Sequence, residues 1–150
     1  MRLADLTWNR SFAVGLGAAF LLLGAAGFVV SFGTPPLDPV GVPLIAYFTA
    51  NPLHSVVTMA IGGVLLVAGL RSLAAARRVN AVMGTFLLLF GIAGLYLIGT
   101  PANVLALTAS DVLVHFASAA LLLPASLGAD RAAGGAAQVG SGDAPAAASS

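Results

Sequence analysis

The chain alternates between a few charged positions and four long stretches that carry no charge. These stretches cover residues 11–37, 39–70, 79–110 and 112–129, which are 27, 32, 32 and 18 residues long. At 1.5 Å per helical residue, each can hold a helix that crosses the roughly 30 Å hydrocarbon core of a bilayer, the last one barely. The pattern predicts four transmembrane helices, at Ser11–Phe32, Asn51–Leu70, Val79–Gly99 and Thr108–Leu127.

The composition agrees with a membrane location. Apolar residues make up 59% of the chain and charged residues only 7%, whereas a soluble domain carries about 25% charged residues. The mean hydropathy is +1.03. So few ionisable groups cannot cover a water-exposed surface. We therefore expect an integral, multi-pass membrane protein whose main partner is the lipid bilayer.

Several classes of site are excluded by residue content. The chain has no cysteine, which rules out disulfides, iron–sulfur clusters, thiolate zinc sites and cysteine nucleophiles. The six basic residues are balanced by five acidic ones, for a net charge of +1. A chain with this balance has no basic surface for nucleic acid, so we expect no nucleic-acid binding. We also expect no cofactor.

The ends of two helices are marked by local chemistry. Asn51 precedes Pro52, and this order places a good N-cap before a proline at the first helical position. Thr108 stands three residues before Asp111, which is the spacing of a capping-box variant. The sequence therefore predicts that the second and fourth helices begin here.

The chain divides into three segments. Residues 1–10 are predicted to be a cytoplasmic N-terminal segment and residues 11–127 a transmembrane domain. The first apolar run is too long for a signal-peptide core, so we expect it to be retained. Residues 128–150 are mostly Gly, Ala, Ser, Pro and Asp, a composition that predicts a disordered cytoplasmic tail. The loop 33–50 contains four prolines, so it cannot be one continuous helix.

The positions of the arginines predict the orientation of the chain. In a four-span protein both termini and the loop between the second and third helices lie on one side. All arginines fall on that side: Arg2, Arg10, Arg71, Arg77, Arg78 and Arg131. The positive-inside rule then predicts a protein of the cell membrane with both termini in the cytoplasm.

A repeated pattern links the two halves of the chain. Residues 21–28 and 88–95 share a Leu-rich run with two glycines, shifted by 67 positions. The glycines within each run are three apart and lie on one helix face, where a neighbouring helix can approach closely. We expect two parallel-repeat helical hairpins that pack against each other through two glycine faces, formed by Gly24 and Gly27 and by Gly91 and Gly94.

The ionisable side chains within the predicted spans are His54, Asp111 and His115, near the outer ends of the second and fourth helices. Thr58 and Asn51 complete this polar cluster. Such groups usually face the bundle interior and have partners. Three interpretations stay open: helix-to-helix hydrogen bonding, which we favour; a metal or haem site held by His54, His115 and Asp111; and a proton relay or a site for a small polar solute.

The polar stretches also resemble a known family. Asn51–Thr58 (Asn-Pro-Leu-His-Ser-Val-Val-Thr), Arg77–Asn80 (Arg-Arg-Val-Asn) and Asp111–His115 (Asp-Val-Leu-Val-His) are similar to signature stretches of a four-helix bacterial membrane family, domain of unknown function 4383, over about residues 12–127. The family pattern typically has histidine where this chain has Thr58 and asparagine where it has Val112. The resemblance implies a four-helix membrane fold but no activity.

These patterns together favour a structural or accessory membrane protein that is not an enzyme and that forms a homo-oligomer or joins a larger membrane complex. The alternative is a small carrier, a proton relay or a metal- or haem-binding protein that uses His54, Asp111 and His115.

Overall fold

The computed structural model describes residues 7–129, which fold into four helices and a short β-hairpin. The helices are α1 (Trp8–Ser31), α2 (Pro52–Arg71), α3 (Leu73–Leu97) and α4 (Ala109–Pro124), the last continued by a wider π-type turn, Ala125–Ala129. All four spans are long and apolar enough to cross a membrane, the fourth counted to Gly128. The predicted all-helical, four-span architecture is confirmed. Most of the predicted tail and of the N-terminal segment lies outside the described residues.

One predicted helix boundary is wrong by six residues. The third helix begins at Leu73 rather than at Val79, so Arg77 and Arg78 are part of it. Arginine has a high helix propensity, and the Ser72 side chain caps the helix by accepting a hydrogen bond from the Ala75 amide at 3.1 Å. Charge ended the apolar run but did not end the helix, and a single residue separates α2 from α3.

The loop between α1 and α2 forms a lid over one end of the bundle. Its strands β1 (Val42–Ile45) and β2 (Phe48–Ala50) pair antiparallel around a turn in which Ala46 has a φ of 49°. The Thr49 hydroxyl donates to the carbonyl of Ala106, in the loop between α3 and α4, at 2.7 Å. These two loops lie at the end of the bundle opposite the α2–α3 junction, termed the outer end of the bundle, and they are hydrogen-bonded to each other.

The helices pack mainly as two hairpins, α1 with α2 and α3 with α4. Between α1 and α2 the backbones approach directly. A Cβ added at Gly17 would lie 2.6 Å from the Leu66 nitrogen, and one added at Gly62 would lie 2.5 Å from the Leu21 nitrogen. Glycine is needed at both positions because any side chain would meet the opposite main chain.

The predicted role of the glycine faces is wrong in one respect. Gly24 and Gly27 face α2, with Met59 and Ser55 as neighbours. Gly91 and Gly94 face α4, where they meet Phe116 and Val112. The glycines thus join the two helices inside each hairpin and do not join the two halves. Consecutive antiparallel helices lie side by side, so the closest approach occurs within a hairpin.

The two hairpins meet in an apolar centre closed at one end by a polar network. The core is formed by large side chains of all four helices: Phe20, Ile61, Leu65, Leu87 and Leu122.

At the arginine-bearing end, buried Asn80 on α3 donates through Nδ2 to the Oδ1 and the backbone oxygen of Asn9 on α1, each at 3.0 Å. Asn9 donates to the Ala125 carbonyl at 2.6 Å. This network ties α1, α3 and the end of α4 together.

Candidate functional site

Asn51 connects the start of α2 to both outer loops. Its side-chain oxygen accepts from the His54 amide at 2.8 Å, which confirms the predicted N-cap. Its Nδ2 donates to the Asp38 carbonyl at 2.9 Å and to the Val104 carbonyl at 2.8 Å. The side chain is fully buried, and both donors and the acceptor have partners inside the protein.

Asp111 forms the predicted capping box with Thr108 at the start of α4. The carboxylate oxygen Oδ2 accepts from the Thr108 amide at 2.8 Å and from its hydroxyl at 2.7 Å. In return the Asp111 amide donates to the Thr108 hydroxyl at 3.3 Å. The negative charge also faces the positive end of the α4 dipole. Asp111 thus has a clear role in beginning the helix.

His54 lies beneath the loop that joins α3 to α4. The backbone carbonyl of Leu105 and the carboxylate of Asp111 are both close enough to its imidazole to act on it electrostatically. The residue is 7% exposed. His54 therefore links α2 to the opposite hairpin, and the predicted closeness of His54 and Asp111 is present.

A small cavity lies between His54 and α1. Its volume is about 20 Å³, and its polar lining comes from Thr49, His54, Ser55, Thr58 and Asp111. A cavity needs at least about 10–15 Å³ to hold a water molecule, so this one can hold a single molecule of that size. Leu23 and Phe48 are among the apolar residues that close the cavity on its other sides.

His115 is placed differently from the rest of the cluster. It lies one turn below Asp111 on α4 and is 4% exposed, and its ring centroid is 5.0 Å from that of Phe90 on α3. Asp111 and His54 both act on it electrostatically. Its Nδ1 atom is buried without a hydrogen-bond partner within the described part of the chain. It does not line the small cavity.

Ligation receives little support from this arrangement. Across residues 7–129, no group of three His, Cys, Asp or Glu side chains is arranged to hold a metal ion. The Asp111 carboxylate is already engaged by Thr108, and His115 packs against an aromatic ring. The candidate metal ligands His54, His115 and Asp111 are therefore neighbours that do not form a coordination shell.

Some buried polar residues were not among the predicted site residues. Ser55 lines the cavity, and its hydroxyl donates to the Asn51 carbonyl at 2.9 Å. Asn103 shapes the second outer loop, since its Nδ2 donates to the Leu107 carbonyl and its Oδ1 accepts from the Leu107 amide, both at 2.9 Å. An asparagine inside an apolar stretch is the sequence signal that could have identified Asn103.

The polar positions of this site fall inside a recognised domain. A family model described as a domain of unknown function (DUF4383) matches residues 10–127. The chain belongs to the DUF4383 family. The match extends from the first turn of α1 to the turn after α4, so the DUF4383 domain contains all of the polar cluster. The match confirms the expected resemblance. No curated protein and no solved structure matches the chain.

Proposed function

We propose that this protein is a small structural or accessory component of a membrane and does not act as an enzyme. The supporting observation is that the outer polar groups bond mainly to the protein itself. Asn51 bonds to both outer loops and Asp111 bonds to Thr108, while the His54 imidazole lies near the Leu105 carbonyl. Groups occupied in this way hold helices and loops in register. A catalytic group would need to be free to react with a substrate.

The proposed orientation has both termini in the cytoplasm. Among residues 7–129, the arginines lie at the end of the bundle where α2 joins α3, and Asp38 and Asp111 lie at the opposite end. This asymmetry fits the positive-inside rule. Because the protein has no cysteine, single cysteines at 74 and 47 can be labelled with a membrane-impermeant reagent in intact cells. Labelling at 47 alone supports the proposal, and labelling at 74 alone contradicts it.

We also propose that the two hairpins arose by duplication of a single hairpin. The glycines that approach a partner helix recur 67 positions apart, as Gly17 and Gly84, Gly24 and Gly91, and Gly27 and Gly94. The partner helices correspond with a shift of 57, which pairs the N-caps Asn51 and Thr108, then His54 with Asp111, then Thr58 with His115. Each glycine pair meets partner-helix residues that are themselves 57 positions apart, and this correspondence supports a parallel repeat.

The alternative is that the protein relays protons or carries a small polar solute. A further form of this alternative is that it binds a metal or haem. One observation favours the relay: the buried Nδ1 of His115 has no partner among the described residues. A second is the cavity beside His54, which can hold one small polar molecule. The metal variant has weaker support because the described residues offer no three-ligand group.

Purified protein can separate these functions. The structural proposal expects neither a Soret band nor stoichiometric metal, and it expects Asp111→Ala to lower the free energy of unfolding by about 1–2 kcal/mol through loss of the cap. Ser110→Ala, a neighbouring site with no capping role, serves as the control. A Soret band or bound metal that disappears in His115→Ala would contradict the proposal. Proton flux in proteoliposomes that His115→Ala abolishes, without loss of stability, would establish the relay.

Association with other chains is part of the proposal. The described helices leave many large apolar side chains exposed, as lipid contact or assembly requires. Gentle solubilisation followed by size-exclusion chromatography with light scattering, together with affinity purification from native membranes, would show a homo-oligomer or a stable membrane partner. A strictly monomeric protein with no co-purifying partner would contradict the accessory role.

A further inference from the structure

A long groove runs along the outer face of the seam between α2 and α3. Two adjoining open cavities, of about 360 and 230 Å³, form it and share Val64 as a lining residue. On α2 the groove extends from Val57 to Arg71, about 21 Å at 1.5 Å per residue. Half of a bilayer's hydrocarbon core is about 15 Å thick. The groove is therefore long enough for one acyl chain within a leaflet.

The groove is apolar along its length and cationic at one end. Its walls come from small and branched side chains, including Gly63, Ala75 and Val79, whereas Arg71 lines the end next to the α2–α3 junction. Arg71 is exposed and makes no ion pair or side-chain hydrogen bond with any residue in the described range. Arg78, also exposed, lies one turn beyond Ala75 on α3.

The charge around this end favours an anion. Within residues 7–129 the acidic side chains are Asp38 and Asp111, and both belong to the opposite end of the bundle. A second apolar groove of about 270 Å³ lies between α1 and α4, where Ala19 and Ser118 are among its lining residues, and it contains no cationic side chain. Of these two grooves, the α2–α3 groove is the one that combines an apolar channel with a cation.

We propose that the α2–α3 groove binds one anionic phospholipid, with an acyl chain along Val57–Val67 and the phosphate at Arg71. Arginine suits this role because its guanidinium can donate two parallel hydrogen bonds to a phosphate. A transmembrane helix packed in the groove would instead cover Arg71 without supplying an anion, a costly arrangement in a membrane. The site is separate from the outer polar cluster.

Two substitutions test the two halves of the site. Arg71→Gln removes the cation and keeps a polar side chain that can donate hydrogen bonds. Gly63→Leu fills the groove, and it does so without a backbone clash because an added Cβ at Gly63 meets nothing within 4 Å. Gly15→Leu is the matched control, since Gly15 on α1 is equally open but lies outside the groove. Native mass spectrometry of delipidated protein with phosphatidylglycerol or phosphatidylcholine of the same chains measures the binding.

The wild-type protein should bind one phosphatidylglycerol in preference to phosphatidylcholine. A basic residue near a lipid surface contributes enough for about a fivefold change in affinity, so Arg71→Gln should reduce the preference by about that factor. Gly63→Leu should abolish the tight lipid, and Gly15→Leu should retain it. Equal binding by all variants would overturn the proposal, as would disulfide dimers of Gly63→Cys that show a second copy in the groove. Stability of the outer cluster is measured separately and does not decide this outcome.

Discussion

Gly62→Ala should weaken the α1–α2 hairpin, because this is the position where the two backbones come closest. An added Cβ would lie 2.5 Å from the Leu21 nitrogen and 2.8 Å from the Gly17 oxygen. Comfortable contact between such atoms needs about 3.5 Å, so the helices would have to separate by about 1 Å. Both contacts are main-chain atoms, which cannot rotate away as a side chain could.

The neighbouring Gly63→Ala isolates this steric effect. At Gly63 an added Cβ meets nothing within 4 Å, so only helix propensity changes, and alanine gains about 1 kcal/mol over glycine in a helix. The same gain occurs at Gly62 and cancels in the comparison. Forced separation of well-packed elements costs about 1–3 kcal/mol. We therefore expect Gly62→Ala to be less stable than Gly63→Ala by about 1–3 kcal/mol.

The difference can be measured by SDS-induced unfolding in mixed micelles, followed by circular dichroism, with thermal unfolding as a second readout. Gly62→Ala should unfold at a lower SDS fraction than the wild type, and Gly63→Ala at the same fraction or higher. Equal stability of the two variants would show that α1 and α2 do not approach at backbone distance, and the packing described for Gly17 would then also be wrong.

Three further outcomes are expected in the same assay. Gly24→Ala should lower the free energy of unfolding by about 2 kcal/mol more than Gly91→Ala, because Gly24 faces main-chain atoms whereas Gly91 faces a phenylalanine ring that can shift. Equal losses of stability in the two variants would contradict this expectation. Asn51→Ala should lower the free energy of unfolding by about 2–4 kcal/mol, because it removes the helix cap and two buried hydrogen bonds to the loops. Asn51→Asp should restore the stability due to the cap but not the stability due to the two loop hydrogen bonds. Asn80→Ala should lower the free energy of unfolding by about 1–3 kcal/mol because it removes two buried hydrogen bonds to Asn9, and a neutral result would place that network outside the folded core.

The helices could be predicted because uncharged runs of sufficient length have few alternatives in a membrane. The capping residues Asn51 and Thr108 were also readable, since capping depends on spacing within a few positions. The start of α3 was not readable from charge, because Arg77 and Arg78 are compatible with a helix that extends beyond the apolar run.

Contacts between distant segments lay beyond the sequence pattern. The spacing of Gly24 and Gly27 indicated a close approach but did not identify the neighbouring helix. The hydrogen bond from Thr49 to the Ala106 carbonyl depends on how two loops fold over the bundle, which local periodicity does not determine. For the same reason the closeness of His54 and Asp111 could be predicted from helix direction, but the approach of the Leu105 carbonyl to His54 could not.

The placement of polar residues explains how an apolar bundle adopts one arrangement. Lipid tails are as apolar as leucine, so burial of Leu65, Leu87 and Leu122 does not by itself select a helix register. Hydrogen bonds do select one, because an unpaired polar group in hydrocarbon is costly. Asn51 sets the register at the outer end, where it bonds to both loops, and Asn80 sets it at the other end through Asn9. With both ends of the bundle fixed, the glycines of each hairpin can meet their partner helices without slippage.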